Sequence, residues 1–512
     1  MVAAGIFLSR IAGLIRQRVF AHYFATSDAA DAFAAGFRIP NLLQNLFGEG
    51  ALSASFIPVY AGARSQKNDE EAEHIAGAVA GLLGLVVAIG VLLGVLGAPL
   101  LVRLIAPGFE GAKRDLTIVL VRILFPGAGL LVLSAWCLGV LNSHGKFFLS
   151  YAAPIIWNVA LIAALVIFGP RRSEASLAVY AAWASVAGSA LQIGVQLPAV
   201  LSLFARLRFS LSARSDSVRT VIRSFFPAFV SRGVIQISAF VDALLASLLP
   251  GGAVAALGYA QTLYTLPVSL FGMSVSAAEL PAMSSVVGDE VAVAAYLRGR
   301  LDNGLRQIAF FVVPSAMAFA VLGQVIAAAL FQSGRFSADD TRWVWGILAG
   351  SAVGLLASTL GRLYASTYYA LRDTRTPLRF ALLRVTLTIG LGYLCAIQLP
   401  PILGLPLRWG AAGLTISAGI AGWVEFYLLR RGMNARIGVT GIPRVLVLKL
   451  YSAAGIAAAA AWGVNRILPL TRPVLVAVIV LGVYGLVYFV LAHFLKVAQA
   501  TALLNRVVRP RG

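Results

Sequence analysis

Polar and charged side chains recur on one face of the apolar segment 28–60. On a helical wheel of 100° per residue they fall within roughly 80° of one another; they are Asp31, Arg38, Asn41, Asn45 and Glu49. A charge inside a membrane-spanning helix costs about 2.5–3.5 kcal/mol on insertion scales, so it usually faces a partner or a water-filled cavity. This stripe predicts a hydrated cavity with a cation-rich wall. The alternative is that the charges pair with one another and hold helices together.

The preceding apolar segment, 3–24, carries further cations at Arg10, Arg16 and Arg18, with Ser9 beside the first of them. Arginine presents a planar fork of donors that matches phosphate and carboxylate oxygens. Arg18 lies about 80° from Arg10 on the wheel and is the weaker candidate, because it can reach lipid phosphates at the membrane surface. These cations extend the cation-rich cavity wall that the neighbouring segment predicts.

The composition places these segments in a membrane protein. The chain has 512 residues, of which 60% are hydrophobic and 12% charged, whereas soluble domains carry about 25% charged residues. Apolar runs of spanning length recur from end to end, and only helices fit them in hydrocarbon. The formal charge of +21 is explained by Lys and Arg in cytoplasmic loops beside anionic lipid, so no nucleic acid is expected. Cys137 and Cys395 lie in apolar segments without metal-ligand spacing, and we expect no metal or cofactor.

About fourteen transmembrane helices are predicted, with both termini in the cytoplasm because Lys and Arg gather in the loops on that side. The predicted spans lie near 3–24, 28–60, 75–105, 115–142, 149–169, 175–203, 219–249, 252–285, 304–331, 341–371, 377–398, 409–432, 444–467 and 472–497.

An internal repeat organises these spans. Ser9-Arg10 recurs as Ser231-Arg232, and Leu-Phe-Gly at 46–48 recurs at 270–272. Six spans per unit predict two six-helix lobes of equal topology, residues 1–216 and 217–433, followed by two additional helices and a basic tail, 434–512. Such lobed repeats are typical of alternating-access transporters, whose substrate site lies between the lobes. The sequence contains no HExxH, GxSxG or Walker motif and therefore favours a transporter over an enzyme.

Several motifs resemble those of one family. They are SRxxGxxR near the N-terminus, DAFxxGFRIPNLLxxLFGEGALSxxFIPVY in the second span, APGF, FQSGRF and YALRDTRTP. Together they resemble the MurJ (MviN) family of lipid II flippases in the MOP exporter superfamily, over essentially the whole chain. The resemblance implies a protein of the bacterial cytoplasmic (inner) membrane with a role in peptidoglycan synthesis. Its implied substrate is lipid II, an undecaprenyl-pyrophosphate carrying a disaccharide-pentapeptide, whose tail lies in a groove formed by the last two spans. Other expected contacts are membrane lipids and the cell-wall synthesis machinery, and a monomer is expected for a transporter of two lobes.

The residues that match cavity positions of the family are Ser9, Arg10, Arg16, Asp31, Glu49 and Asn158. Two basic positions depart from its pattern, because Gln44 and Asn45 occupy one site and Gln261 and Thr262 the other. We hypothesise that the charge is relocated to Arg232, which mirrors Arg10 in the repeat and shares a face with Gln236. Arg10, Arg16 and Arg232 would then form the pyrophosphate clamp, and Arg362 is another intramembrane cation. The alternative is that Arg232 extends to the cytoplasmic edge of the membrane.

Two acidic residues are candidates for coupling to an ion. Some family members bind sodium through the seventh and eleventh spans; here the seventh span has Asp242, whereas the eleventh offers Arg384 in place of a carboxylate. An Arg384–Asp242 pair would put a fixed cation at that place, so we expect no sodium site. Alternatively, Asp242 titrates and a proton or the membrane potential drives transport. Glu279 can pair with an arginine or take up a proton.

Other functions stay open at this stage. Another MOP-superfamily exporter, such as an oligosaccharide-lipid flippase or a multidrug/cation antiporter, would share the lobes, although a drug antiporter needs only twelve spans. A flippase for an altered glycolipid would explain the missing arginines. A membrane scaffold for wall-synthesis enzymes would need no charged stripe in its interior.

Overall fold

The computed structural model describes residues 2–66, 68–212, 214–286, 288–468 and 472–508. Within its helices, the side chains of 2–6, 49–51, 54, 227–228, 230–239, 503 and 505–508 lie outside the description. In the described part the protein consists of helices without strands, and it divides into two compact units, residues 1–255 and 256–512. The predicted all-α polytopic fold is thus confirmed.

The first unit contains nine complete helices within the described ranges, and α10 begins at its end. They are α1 (Val2–Phe24), α2 (Asp28–Phe47), α3 (Glu49–Ser65), α4 (Asp69–Leu96), α5 (Ala98–Ile105), α6 (Gly111–Ser143), α7 (Phe147–Phe168), α8 (Glu174–Leu201) and α9 (Asp216–Ser247). Helix α6 packs against α2, α4 and α8, α1 packs against α7, and α3 packs against α9.

The second unit contains the rest of α10 and ten further helices of the described chain. They are α10 (Ala253–Pro267), α11 (Ser274–Ser284), α12 (Glu290–Val321), α13 (Gly323–Phe331), α14 (Ala338–Ala370), α15 (Arg375–Tyr393), α16 (Leu399–Ile402), α17 (Gly410–Ile437), α18 (Arg444–Ile467), α19 (Pro473–Phe494) and α20 (Ala498–Val508). Helices α14 and α17 pack closely because Gly354 meets Gly419; a Cβ on Gly354 would lie 2.5 Å from the Cα of Gly419.

Eleven helical stretches among the described residues are long and apolar enough to cross a membrane. The predicted segments 3–24, 28–60 and 219–249 are helical but are not among them. Charged residues within these segments lower their hydropathy, so the exact number of fourteen spans stays a prediction. The lobe boundaries at 216 and 433 also stay predictions, while α9, which follows the first of them, packs within the first unit.

Three predicted single spans are broken in the structure. The segment 28–60 breaks at Gly48, the segment 75–105 at Gly97, and the segment 304–331 at Leu322. At Gly48 the backbone leaves the helical region, with φ −80° and ψ −150°. The repeat preserves this irregularity, because the second Leu-Phe-Gly lies in a π-helical turn, Val268–Met273, between α10 and α11. Hydropathy detects the apolar run but not a local change in helical geometry.

Candidate functional site

Arg16 is the predicted site residue with the best-defined surroundings. It is half-buried on α1, and its guanidinium carbon lies 4.8 Å from the centre of the Trp157 ring on α7. Trp157 is buried and donates its indole N–H to Ser185 Oγ on α8 at 3.1 Å. A cation over an indole face is attracted by the ring electrons. Three helices therefore fix the direction of the Arg16 side chain.

Asn158 follows Trp157 on α7 and is also buried. Its Nδ2 donates to the carbonyl oxygen of Pro154, one turn earlier in the same helix, at 2.9 Å. Asn158 thus follows the residue that contacts Arg16, and the NH₂ of its amide is bonded to its own helix.

Asp31 lies at the centre of a charge cluster in the first unit. Only 1% of it is exposed, and its Oδ2 accepts from Lys113 Nζ at 2.5 Å and from the Gly252 N–H at 2.7 Å. Its Oδ1 accepts from the Ala255 N–H at 2.8 Å. Lys113 also pairs with Asp28 at 2.9 Å. A carboxylate at these N–H groups stabilises the beginning of α10, as at other helix N-termini. These contacts favour the interpretation in which Asp31 holds helices together.

The remaining residues of the predicted stripe have separate environments. Arg38 is half-buried and interacts electrostatically with Asp242 on α9. Asn41 lines a small cleft between α2 and α6, and Asn45 is half-buried. The helix break at Gly48 makes Glu49 the first residue of α3, and its place on this face stays a prediction.

Several predicted residues are not described at the level of side chains. The side chains of Glu49, Arg232 and Gln236 lie outside the description, although their backbones belong to α3 and α9. The proposed relocation of charge to Arg232 therefore stays a prediction. On α1, Arg10 is exposed and Ser9 half-buried.

In the second unit the predicted charges have specific partners. Arg384 Nη1 lies 3.2 Å from Glu425 Oε2, between α15 and α17. The packing of α15 on α17 gives Arg384 the carboxylate of Glu425, while the Arg384–Asp242 pair stays a prediction. Glu279 pairs with Arg300 Nε at 2.7 Å, which is one of the two roles considered for it.

Two other predicted polar residues of this unit are exposed. Gln261 Nε2 donates to Thr265 Oγ1 at 3.4 Å, one turn along α10. Arg362 is exposed on α14.

An apolar groove of about 430 Å³ lies in the second unit. It runs between α10 with its π-helical turn, α12, α13 and α19, and among the side chains that line it are Leu266, Phe271, Phe311, Phe319, Leu330 and Phe489. Phe271 and Phe311 stack with their ring centres 4.5 Å apart. The groove therefore presents aromatic and aliphatic surface over several helices.

Two tyrosines of α19 keep polar groups out of this groove. Pro314 has no N–H, so the carbonyl of Phe310 one turn earlier lacks its usual helical donor. Tyr488 donates its hydroxyl to that carbonyl at 2.6 Å, and Tyr484 donates to the Pro314 carbonyl at 2.7 Å. Both tyrosines line the groove with their rings while their hydroxyls are bonded to α12. The wall is consequently suited to hydrocarbon.

Sequence reasoning missed the partners rather than the charges. Lys113 could have been noticed as a cation near the start of an apolar segment, and Glu425 as the only carboxylate within 409–432. Pro314 signals an unpaired carbonyl, but nothing local indicates that Tyr488 satisfies it. Trp157 gave no signal, because an indole in an apolar helix is ordinarily a packing residue.

Comparisons with known proteins agree on one family. A family model described as lipid II flippase MurJ matches residues 20–500. The lipid II flippase MurJ of Burkholderia cenocepacia is 33% identical over 436 residues, which cover 84% of this chain and 82% of that protein. The probable lipid II flippase MurJ of Haemophilus influenzae is 30% identical over 471 residues, covering 89% and 90%.

Solved structures share the fold. A lipid II flippase MurJ in an inward closed conformation superposes with a TM-score of 0.78 at 24% identity, covering 99% of both chains. A multidrug resistance MATE transporter of the MOP superfamily, in an inward-facing conformation, has a TM-score of 0.64 at 18% identity and covers 82% of this chain and 95% of its own.

Proposed function

This chain belongs to the lipid II flippase MurJ family, and from that premise we propose that it moves lipid II across the bacterial cytoplasmic membrane by alternating access. The family is one of transporters, so the interpretation of the sequence as a transporter rather than an enzyme is confirmed. In the proposed cycle, cavity arginines hold the pyrophosphate while the polyprenyl tail stays in an apolar environment.

The apolar groove of the second unit is the observation that carries this proposal. A drug or ion does not need a long hydrocarbon surface, whereas a polyprenyl tail does, because each buried methylene contributes about 0.8 kcal/mol. The bonded hydroxyls of Tyr484 and Tyr488 leave no phenol donor facing that tail. We propose that the groove holds part of the tail. The resemblance implied a groove of the last two spans, and of these α19 contributes to the lining residues of this groove whereas α18 does not.

Arg16 supports the other half of the proposal. Its guanidinium is oriented by Trp157 and offers donors in a fixed fork, the geometry that binds phosphate oxygens at two points. We propose that Arg10, Arg16 and Arg232 receive the pyrophosphate, and that Asp242 or Glu279 couples transport to an ion by exchanging its arginine partner for a proton.

Filling the groove tests the tail site. Gly485 lines the groove, and a Cβ built on it meets no atom within 4 Å. Gly485→Trp should therefore fill the groove without distorting α19 and should abolish exposure of lipid II on the outer leaflet of a strain depleted of its native flippase. Gly482→Trp is the matched control, because Gly482 also has free space but does not line the groove. Full activity of Gly485→Trp would reject the groove as the tail site.

Removing the arginine fork tests the headgroup site. Arg16→Gln should lose lipid II exposure at unchanged protein level, since a half-buried amide carries no charge for the pyrophosphate. Arg103→Gln, an exposed arginine on α5, should remain active. Arg232→Ala in the same assay tests the relocated charge, and its full activity would refute the relocation.

The depletion assay also separates the alternative functions. An oligosaccharide-lipid flippase, a drug antiporter or a scaffold would leave the exposure of lipid II unchanged when this protein is depleted and nothing replaces it. We further propose that both termini are cytoplasmic, and a reporter fused to the C-terminus checks the side of that terminus. We also propose that the protein acts as a monomer and contacts cell-wall synthesis enzymes.

A further inference from the structure

The connection between α8 and α9 lies along the first turns of α4 instead of extending into solvent. We call its residues 204–212 the strap. The Glu73 carboxylate on α4 accepts the N–H groups of Ala205 at 2.6 Å and Arg206 at 3.0 Å. This contact fixes the beginning of the strap near the polar start of α4.

The strap then follows α4 in the direction of its C-terminus. The N–H of Ser210 donates to the carbonyl of Gly77 at 3.4 Å. A Cβ on Gly77 would overlap the carbonyl oxygen of Arg208, and one on Gly81 would overlap that of Ser210. Two glycines one turn apart therefore allow the strap backbone to touch the helix backbone.

The position of these glycines gives the depth that the strap reaches. Acidic residues and His74 occupy the start of α4, and from Ile75 to its end the helix is entirely apolar. At about 1.5 Å per residue, Gly77 and Gly81 lie about 3 and 9 Å inside the apolar stretch. The strap thus descends from the polar start of a spanning helix to the level where hydrocarbon begins.

Its side chains are distributed to match this descent. Arg206 and Arg208 are exposed near the level of Glu73 and Gly77. Phe209 and Leu211, at the deeper end, have 63% and 59% of their surface exposed. The Ser212 N–H is bonded to Ser210 Oγ at 3.1 Å, so a polar backbone group at the deeper end has a partner, as a segment at membrane depth requires.

We propose that the strap is an interfacial anchor for anionic lipid. Phe209 and Leu211 insert among acyl chains at the membrane surface where α4 begins, and Arg206 and Arg208 bind the phosphates of anionic headgroups. Amphipathic segments insert their apolar face about 5–10 Å into this boundary, which agrees with the depth of Gly81. The anchor holds the connection between the two predicted lobes at the bilayer and does not depend on the transported substrate.

Photo-crosslinking from the strap tests insertion. The full-length protein carries p-benzoylphenylalanine at Phe209 and is reconstituted in vesicles of two parts phosphatidylcholine and one part phosphatidylglycerol. Irradiation should give lipid adducts detectable by mass spectrometry. The same replacement at Phe204 is the matched control, because Phe204 packs 6.4 Å from Tyr60 and 6.5 Å from His144 between ring centres and should crosslink within the chain. If the probe at position 209 gives no lipid adduct, either because it faces water or because it crosslinks within the chain, the proposal is overturned.

The composition of the adducts tests the charge preference. Phosphatidylglycerol should be enriched at least twofold in the adducts over its share of the vesicle. Arg206→Gln/Arg208→Gln should return the ratio to that of the vesicle while the adducts persist. Arg171→Gln/Arg172→Gln is the matched control, because these exposed arginines follow the C-terminal end of α7 and lie outside the strap. This variant should keep the enrichment. Adducts without enrichment in the unsubstituted strap would refute the anionic headgroup as its ligand.

Discussion

Asp31 and Asp28 share one partner, Lys113, but differ in burial, and this difference predicts unequal losses of stability for the same substitution. The exposed fraction of the side chain is 1% for Asp31 and 69% for Asp28. Asp31→Asn keeps the shape and one acceptor oxygen, which can still bind the Ala255 N–H. It loses the ion pair with Lys113, and the amide NH₂ then faces donors at Lys113 and Gly252.

The magnitude follows from these lost contacts. Hydrogen bonds to charged groups contribute about 1.5–3 kcal/mol each, and breaking a buried ion pair costs about 3–5 kcal/mol. Because Asp28 still pairs with Lys113, we expect Asp31→Asn to lower the free energy of unfolding by about 3 kcal/mol, at the low end of that range. Asp28→Asn removes an exposed pair and should cost at most about 1 kcal/mol.

The measurement is unfolding of the purified protein by sodium dodecyl sulfate in mixed micelles, followed by tryptophan fluorescence. The double variant Asp31→Asn/Lys113→Met removes both charges and should recover part of the loss, because the buried ammonium no longer lacks its closest partner. Equal losses for Asp28→Asn and Asp31→Asn would refute the conclusion that burial makes this ion pair strong.

Three further outcomes are expected. The Asp373 carboxylate accepts hydrogen bonds from Thr376, and these bonds hold its pKa at about 2. Its contribution to stability is therefore full above about pH 4 and is lost as the pH falls through 2. The free energy of unfolding of Asp373→Asn should lack this dependence on pH. Burial, followed by the nearby cations, lowers the pKa of His144, which shares a hydrogen bond with Tyr60. The folded state thus favours the neutral ring, so its contribution to stability should be full above about pH 6.5 and fall as the pH drops through the lowered pKa. The melting temperature of His144→Gln should vary less between pH 8 and pH 5 than that of the unsubstituted protein. Gly77→Val should displace the strap and speed tryptic cleavage after Arg206 and Arg208. Gly84→Val is the control, because a Cβ at Gly84 meets no atom within 4 Å, and it should leave the cleavage rate unchanged. Equal cleavage rates in the two variants would contradict the close contact of strap and helix.

The sequence by itself determined the class of the protein and most of its helices. Apolar runs predict helices in hydrocarbon, because a helix satisfies all its backbone hydrogen bonds within one segment. Charged residues within these runs indicate positions where a partner charge or a water-filled cavity is needed. The repeat was also readable, and its two Leu-Phe-Gly motifs mark a helix break at Gly48 and a π-helical turn at Val268–Met273. Local sequence sufficed for the helices and the repeat, whereas the break and the π-helical turn became visible only in the structure.

Only the tertiary structure decided which groups meet. Asp31 finds Lys113 across 82 residues, Arg384 finds Glu425 across 41, and Tyr488 reaches the carbonyl of Phe310 across 178. A helical wheel gives the face on which a side chain lies, but its partner depends on how other helices pack against that face. Arg16 is the clearest case, since its charge was visible in the sequence while the Trp157 ring that orients it belongs to another helix.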